Sequence, residues 1–585
     1  MIVKKSLKKK TMMIVMKKNG KPVAGKEKTM KTFNSLMVAS GLLLASPMSL
    51  ADLNASTGET FTLTNIGESE QVSSEFGYSL SASGKSLLIG APKRTINGKA
   101  AGAVYQIKIE DGNLSHDAVT KFYQGKKEDG WNIKGAPENG DRFGHVVAGL
   151  NNSQFFVGVP GEDLKDITNS GMVNFVGFSE RGSCVRGTVD YTPMSYFHQG
   201  RFGIIGKKEK YDRVGYALAV GDFNNDGGMD LAIGAPNEDV GKHDDAGGVN
   251  VLMRDVNKDF DYCAEGFTYF NNTAWSQGNL QGKRKKNEYF GKALAAGDFN
   301  GDGTADLAVG VPGDMALGNQ LTSKDNKANA GAVNIIYGDA YETTLNEGGP
   351  ALLGNEQVHQ NLKGISGGRE AGDRFGAALA VGDFNNDGVD DLAIGVPGED
   401  IGDVKNAGMV HVLYGFDGRY NNIASGGLVK AAANISMMEA HKHASFHQKT
   451  KNIGGKVEKG DLFGAALAAG DMNNDGYDDL IVGIPGEDLK RNGKQIVDAG
   501  AVLVLYGSSS GLRHNGHRYF SEASLPGIDL PRKGMRFGFS LATGYFNNDN
   551  KMDLAIGNGS TQKAKSNKYV STPKINGSVS VIYQD

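Results

Sequence analysis

A three-part motif recurs seven times along this 585-residue chain and restricts its fold more than any other feature. The first part is a large apolar residue and Gly ahead of a small, apolar run: Phe76-Gly77, Phe143-Gly144, Val214-Gly215, Phe290-Gly291, Phe375-Gly376, Phe463-Gly464 and Phe537-Gly538. The second is Gly-x-Pro, at Gly90, Gly158, Gly234, Gly310, Gly395 and Gly483, degraded in the last copy to Gly557-Asn-Gly559. The third is a Gly-small-Val strand opening at Gly102, Gly171, Gly247, Gly331, Gly408, Gly500 and Gly577. Copies begin 67 to 88 residues apart, enough for three marked strands and a weaker fourth, such as Thr188–Tyr191 or Phe267–Phe270. Four-stranded units repeated radially make an all-β, seven-bladed β-propeller of antiparallel blades. A linear solenoid is the alternative, but the period and strand count favour a closed ring. Gly is 84 of 585 residues, about twice the usual usage of roughly 7%. Runs such as Ala377–Gly382 suit the crowded innermost strands. The seventh unit has only three strands, and a spare one, Glu59–Asn65, precedes the first unit. That strand is expected to complete blade seven and cover its open edge.

Four units carry a second signature between their first and second strands. In blade five it is Asp383, Asn385, Asp387, Val389 and Asp391 at positions 1, 3, 5, 7 and 9, with Gly388 at position 6. Blade three has Asp222, Asn224, Asp226, Gly228 and Asp230; blade four has Asp298, Asn300, Asp302, Thr304 and Asp306; blade six has Asp471, Asn473, Asp475, Tyr477 and Asp479. Carboxylates and an amide at alternate positions of a tight turn are the oxygen donors that Ca²⁺ prefers. Position 7 is expected to offer its main-chain carbonyl and position 9 both carboxylate oxygens. An EF-hand would place Glu six residues after the Gly. Ile233, Val309 and Ile394 stand there instead. A metal-free Asp/Asn-Gly hairpin is the plainer reading of any single loop. Four in register, each with three mutually repelling carboxylates, favour about four Ca²⁺ ions, with affinities of roughly 10⁻⁴–10⁻³ M. Blade seven has Tyr545 at position 1 and Asn550 at position 6, and blades one and two have no cage.

With these motifs in register, the chain resembles the FG-GAP repeat family, known best from the N-terminal propellers of integrin alpha chains. The resemblance covers nearly all of the chain after residue 51. It implies a seven-bladed propeller with Ca²⁺ in the hairpin loops of some blades. The further domains of an integrin do not follow from it.

Residues 1–51 read as a signal peptide with a basic extension, cleaved near Ala51, ahead of a single propeller over residues 52–585. Leu36–Ala45 is the apolar core, and Met1 and Met30 are both possible starts. These residues carry eleven Lys and one Glu, so the charge of −3 for the whole chain becomes −13 without them. An acidic chain of this kind does not suit a nucleic-acid partner. No apolar run approaches the roughly 20 residues that span a bilayer. Cys184 and Cys263 are the only cysteines, and in an exported protein they either pair or stay separate thiols.

The remaining motifs point to packing. His447-Gln448 aligns with His198-Gln199 and His359-Gln360, so it reads as an outer-strand feature and not, with His441 and His443, as a metal site. Gly-Glu-Asp triplets at Gly161, Gly398 and Gly486 read as turn chemistry. No nucleophile elbow, zinc helix or phosphate loop appears. The expectation is an exported, calcium-binding propeller that binds a protein or glycan at or outside the cell surface, and not an enzyme. Loops joining second and third strands, Gly313–Ala330 and Gly486–Ala499, are the expected binding face, with Ser560–Asn576 a second candidate. A carbohydrate-binding propeller using Trp131 and Trp275 and a propeller-based hydrolase are the alternatives.

Overall fold

The computed structural model describes residues 58–584 apart from 70, 72–73, 127–131, 152–153, 178–195, 202–203, 205, 255–268, 278–279, 281–284, 316–327, 339–354, 417–442, 525–530 and 560–576. Seven four-stranded antiparallel sheets form the seven blades of a β-propeller. Blade five is typical. Its strands run Ala378–Gly382, Asp391–Val396, Met409–Leu413 and His443–Phe446, each pairing with the next. First strands of neighbouring blades touch all the way round, including Phe537–Gly544 of blade seven against Ser79–Ser83 of blade one. The array is therefore a closed ring and not a solenoid.

All three motif parts meet at each blade junction. A Cβ added at Gly395 would lie 2.1 Å from the Gly464 carbonyl oxygen of the next blade. The degraded Gly557 keeps this contact, with a Cβ there reaching within 2.3 Å of the Gly77 oxygen and closing the ring. In blades one to six the Gly opening the third strand bridges the large apolar residue of the next blade's first motif, as Gly408 does with Phe463. Phe76, Phe143, Phe290, Phe375, Phe463 and Phe537 are completely buried. The core lies between blades. Leu392, Ile394 and Val396 pack with Val333 and Ile335 of blade four, whereas Ala393 joins Leu480 and Val482 of blade six. The two-residue period of a strand sends alternate side chains to opposite neighbours.

The spare N-terminal strand pairs antiparallel with Val579–Ile582, Gly58 opposite Ile582 and Phe61 opposite Val579. It stops at Phe61, earlier than Asn65, because the Asn65 carboxamide oxygen accepts the Thr62 N–H (2.7 Å) and turns the chain. The expected fourth strand of blade three is shifted to Tyr269–Trp275. That of blade two is Tyr196–Phe197, and Thr188–Tyr191 lies outside the described residues. The Gly486–Ala499 loop contains a small hairpin of its own, Leu489–Arg491 with Lys494–Ile496. No described helix is long and apolar enough to cross a membrane. Residues 1–57, Trp131, Cys184, Cys263, His441 and the Ser560–Asn576 loop lie outside the described residues, as does most of Gly313–Ala330.

Candidate metal centre

The four acidic loops share one hydrogen-bond skeleton. In blade five the Asp383 carboxylate accepts the N–H of Asp387 (3.1 Å) and of Gly388 (2.9 Å). Asn385 accepts the Asp387 N–H at 2.9 Å, and Asp387 accepts that of Val389 at 3.0 Å. The other three loops repeat these bonds, and in them the Asn amides of Asn224, Asn300 and Asn473 donate to Asp226, Asp302 and Asp475, each at 3.1 Å. Two residues take the left-handed conformation: position 4 (Asn386 φ 52°) and position 6 (Gly388 φ 86°). A Cβ on Gly388 would meet nothing within 4 Å, so backbone conformation, not space, selects Gly there.

Position 9 also bonds to the main chain. Asp391 is completely buried, and its two oxygens accept the N–H groups of Phe384 (2.9 Å) and Gly415 (2.8 Å). Asp230, Asp306 and Asp479 do the same from their own blades. Each carboxylate thus ties the hairpin to the end of the third strand, and both oxygens already hold a donor. Burial, with the loop's other carboxylates adding to it, pushes Asp230, Asp306, Asp391 and Asp479 up to about 8 against the lowering effect of the N–H bonds. A divalent cation would oppose this shift by stabilising the ionised form.

Adjacent loops are also linked, through residues that the one-loop pattern does not single out. At position 8, Asp390 accepts the Asp298 N–H of blade four (2.8 Å), and Asp478 accepts the Asp383 N–H of blade five (3.1 Å). The Asp-Asp pair at positions 8 and 9 of blades five and six is the visible signal; Met229 and Ala305 stand at position 8 in blades three and four.

The donor set of Asp, Asn and Asp oxygens on one turn fits a hard cation. Among the described residues no three His, Cys, Asp or Glu side chains form a ligand cluster, and the loop carboxylates accept N–H groups of their own turn. Blade seven is an internal control. Without an acid at position 1 it keeps Asn547–Asp549, Asp549–Lys551 and Asp553–Phe546 bonds of 3.0, 2.8 and 2.8 Å. The skeleton is thus a property of the hairpin, and what sets the four acidic loops apart is the extra carboxylate at position 1.

Outside the loops, the two leftover motifs meet. Gln448 Nε2 donates to Glu487 (2.6 Å), Gln124 to Glu162 (2.7 Å), Gln360 to Glu399 (2.6 Å), and Gln199 to Glu238. The Gln ends one blade's outer strand and the Glu follows the Gly-x-Pro of the next. His447 is half-buried beside this link, and its Nδ1 accepts the Lys449 N–H (3.1 Å). Trp275 is half-buried and packs against the core between blades three and four.

The FG-GAP repeat model matches residues 214–252, 290–335, 375–413 and 463–505, the four blades that bear the acidic loops. Integrin alpha pat-2 of Caenorhabditis briggsae is 31% identical over 284 residues, 47% of this chain and 18% of its own length. Integrin alpha-5 of Xenopus laevis is 26% identical over 359 residues, 58% of this chain and 28% of its own. Phosphatidylinositol-glycan-specific phospholipase D of Rattus norvegicus is 30% identical over 195 residues, covering 33% of this chain and 18% of its own. The similarity thus spans less than a third of each of these relatives.

Proposed function

We propose that this chain, an FG-GAP repeat protein resembling integrin alpha chains, is an exported, calcium-binding propeller that binds a protein partner at or outside the cell surface. The observation that carries the reading is the acidic loop in blades three to six, with Asp, Asn, Asp, Gly and Asp at positions 1, 3, 5, 6 and 9 of each. Each loop would hold one Ca²⁺ through positions 1, 3 and 5 and the carbonyl of position 7. Position 9 has another role: its main-chain bonds hold the hairpin to the blade, and it reaches the ion only with the lone pairs those bonds leave. The ion supplies positive charge, and the chain supplies a loop already folded to receive it. Similarity to integrin alpha chains supports a binding module. Partner contact falls to the opposite end of the blades, where second-to-third-strand loops and blade connections gather on a rigid ring.

The test is capture from surface extracts by the intact chain, once in Ca²⁺ and once in chelator. A specific protein retained only in Ca²⁺ supports the reading; identical capture in both removes calcium from it. Similarity to phosphatidylinositol-glycan-specific phospholipase D supports a second reading, in which the propeller serves a hydrolase. A hydrolase substrate screen with and without Ca²⁺ tests that reading.

A further inference from the structure

The residue after each aromatic-Gly pair sits where a first strand begins, at the end of the ring opposite the acidic hairpins. Four of these residues form an arc across blades seven, one, two and three: Phe539 and Tyr78 ring centroids are 5.5 Å apart, Tyr78 and His145 5.1 Å, and His145 and Tyr216 4.5 Å. Lys292 of blade four extends the arc, its Nζ 5.8 Å from the Tyr216 ring and 5.0 Å from that of Tyr289. The same position holds Ala377 in blade five and Ala465 in blade six, so the arc is open on that side.

Cations gather on the arc. The residue before the aromatic takes a left-handed conformation in every blade, and in four it is Arg: Arg142, Arg213, Arg374 and Arg536. Arg142 lies 5.3 Å from the Tyr78 ring. Burial, then Arg374 and Arg213, lowers the Lys292 amine. Burial, then Arg142, Arg213 and Lys292, holds the His145 imidazole well below its usual range. Glu75 accompanies Arg142 at 3.7 Å, but among the described residues no carboxylate pairs with Lys292, Arg213 or Arg374. Lys292 is half-buried against two Tyr rings, and the charges of Arg374 and Arg213 disfavour its ionised form. These cations occur on a chain that is acidic overall, so this mouth is a local positive region.

We propose that the axial mouth receives an acidic side chain of the protein partner, entering on the Ala377 and Ala465 side and held by Lys292 and Arg374. This rests on the binding function proposed above and names the chemistry that its partner presents. An Asp or Glu there is met by two cations that pair with no carboxylate among the described residues, so the complementarity is electrostatic and salt-sensitive.

The probe is an acidic peptide of Glu and Gly, titrated calorimetrically into the whole chain in Ca²⁺, with its Gln counterpart as control. Binding of the Glu peptide alone, weakened at least tenfold by Lys292→Gln and by Arg374→Gln and abolished by Ala377→Glu, is the expected result. Arg374 is exposed, so its replacement tests the site even if Lys292→Gln unfolds the chain. Equal binding by Arg374→Gln and the parent overturns the proposal, as does no binding at low salt. Preference for dextran sulfate over the peptide replaces the occupant with a sulfated glycan and also overturns it. Surface capture that survives Arg374→Gln and Ala377→Glu leaves the binding function standing and removes the axial site alone.

Discussion

Gln360 Nε2 donates to Glu399 Oε2 across 2.6 Å, joining the outer strand of blade four to the loop after the second strand of blade five. Both side chains are buried. Gly367, in the connection between those blades, lies directly over the pair: a Cβ there would reach Gln360 Nε2 at 2.7 Å and Glu399 Oε1 at 3.0 Å. The blade connection is thus pressed against a polar link, and the link recurs at three other junctions.

Replacing Gln360 by Ala takes away the Glu399 partner without opening the site to water. Loss of a buried hydrogen-bond partner costs about 1–3 kcal/mol. Gln360→Ala is therefore expected to lower the unfolding free energy in denaturant by about that amount while leaving Ca²⁺ binding unchanged. A midpoint equal to the parent's would show that the link contributes nothing.

The same link predicts a dependence on pH. Burial pushes Glu399 up to about 7, and Glu162 and Glu238 up to about 8. Their unfolded values are near 4.3. Between the two values the folded chain binds more protons than the unfolded chain, so stability falls as pH rises. The stabilisation is full below about 4.3 and is lost as pH passes through about 7 to 8. Glu399→Gln removes one such group. Its stability should fall less steeply between pH 5 and 9 than the parent's, with both measured in the same Ca²⁺ buffer. Parallel profiles would contradict the assignment.

Much of this was legible in the sequence, and what was hidden has a physical cause. The seven-blade ring was readable because its three motif parts are the residues that touch at each junction, so the packing itself repeats. The acidic loops were readable because the side chains at positions 1, 3 and 5 accept N–H groups of their own turn. The Gln–Glu link was visible only as two separate motifs. Its partners stand 38 or 39 residues apart, and that constant separation was the available signal. Asp390 and Asp478 were hidden for a different reason. Each serves the loop of the preceding blade, 92 and 95 residues away. The main-chain role of position 9 was hidden because its donors, such as the Gly415 N–H, come from the distant end of the third strand.

Calcium is expected to raise the melting temperature. Ligand that binds only the folded state stabilises by about 1.4 kcal/mol per site at about ten times the Kd. Asp383→Ala removes the position-1 carboxylate that blade seven lacks, and with it one site's share, leaving the rest of the loop skeleton. Scanning calorimetry in Ca²⁺ and in chelator checks both claims. A melting temperature indifferent to Ca²⁺ would count against all four loops.

Closure by the N-terminal strand is the last expectation. Phe61 is completely buried, packed among residues of blade seven (Phe546, Ala555, Val581) and of blade one (Leu87, Tyr105). The strand also brings Glu59 to the Tyr583 hydroxyl at 2.9 Å. Phe61→Ala is expected to cost about 3–5 kcal/mol by cavity formation. A chain beginning at residue 70 loses the strand entirely and exposes the edge at Val579–Ile582. Its melting temperature should fall sharply, and it should self-associate through that edge. Glu59→Gln, which keeps the strand and alters only the Tyr583 contact, separates the two effects: a small change there beside a large one for Phe61→Ala assigns closure to apolar burial. Unchanged stability in the shortened chain would show that the ring holds without its seventh outer strand.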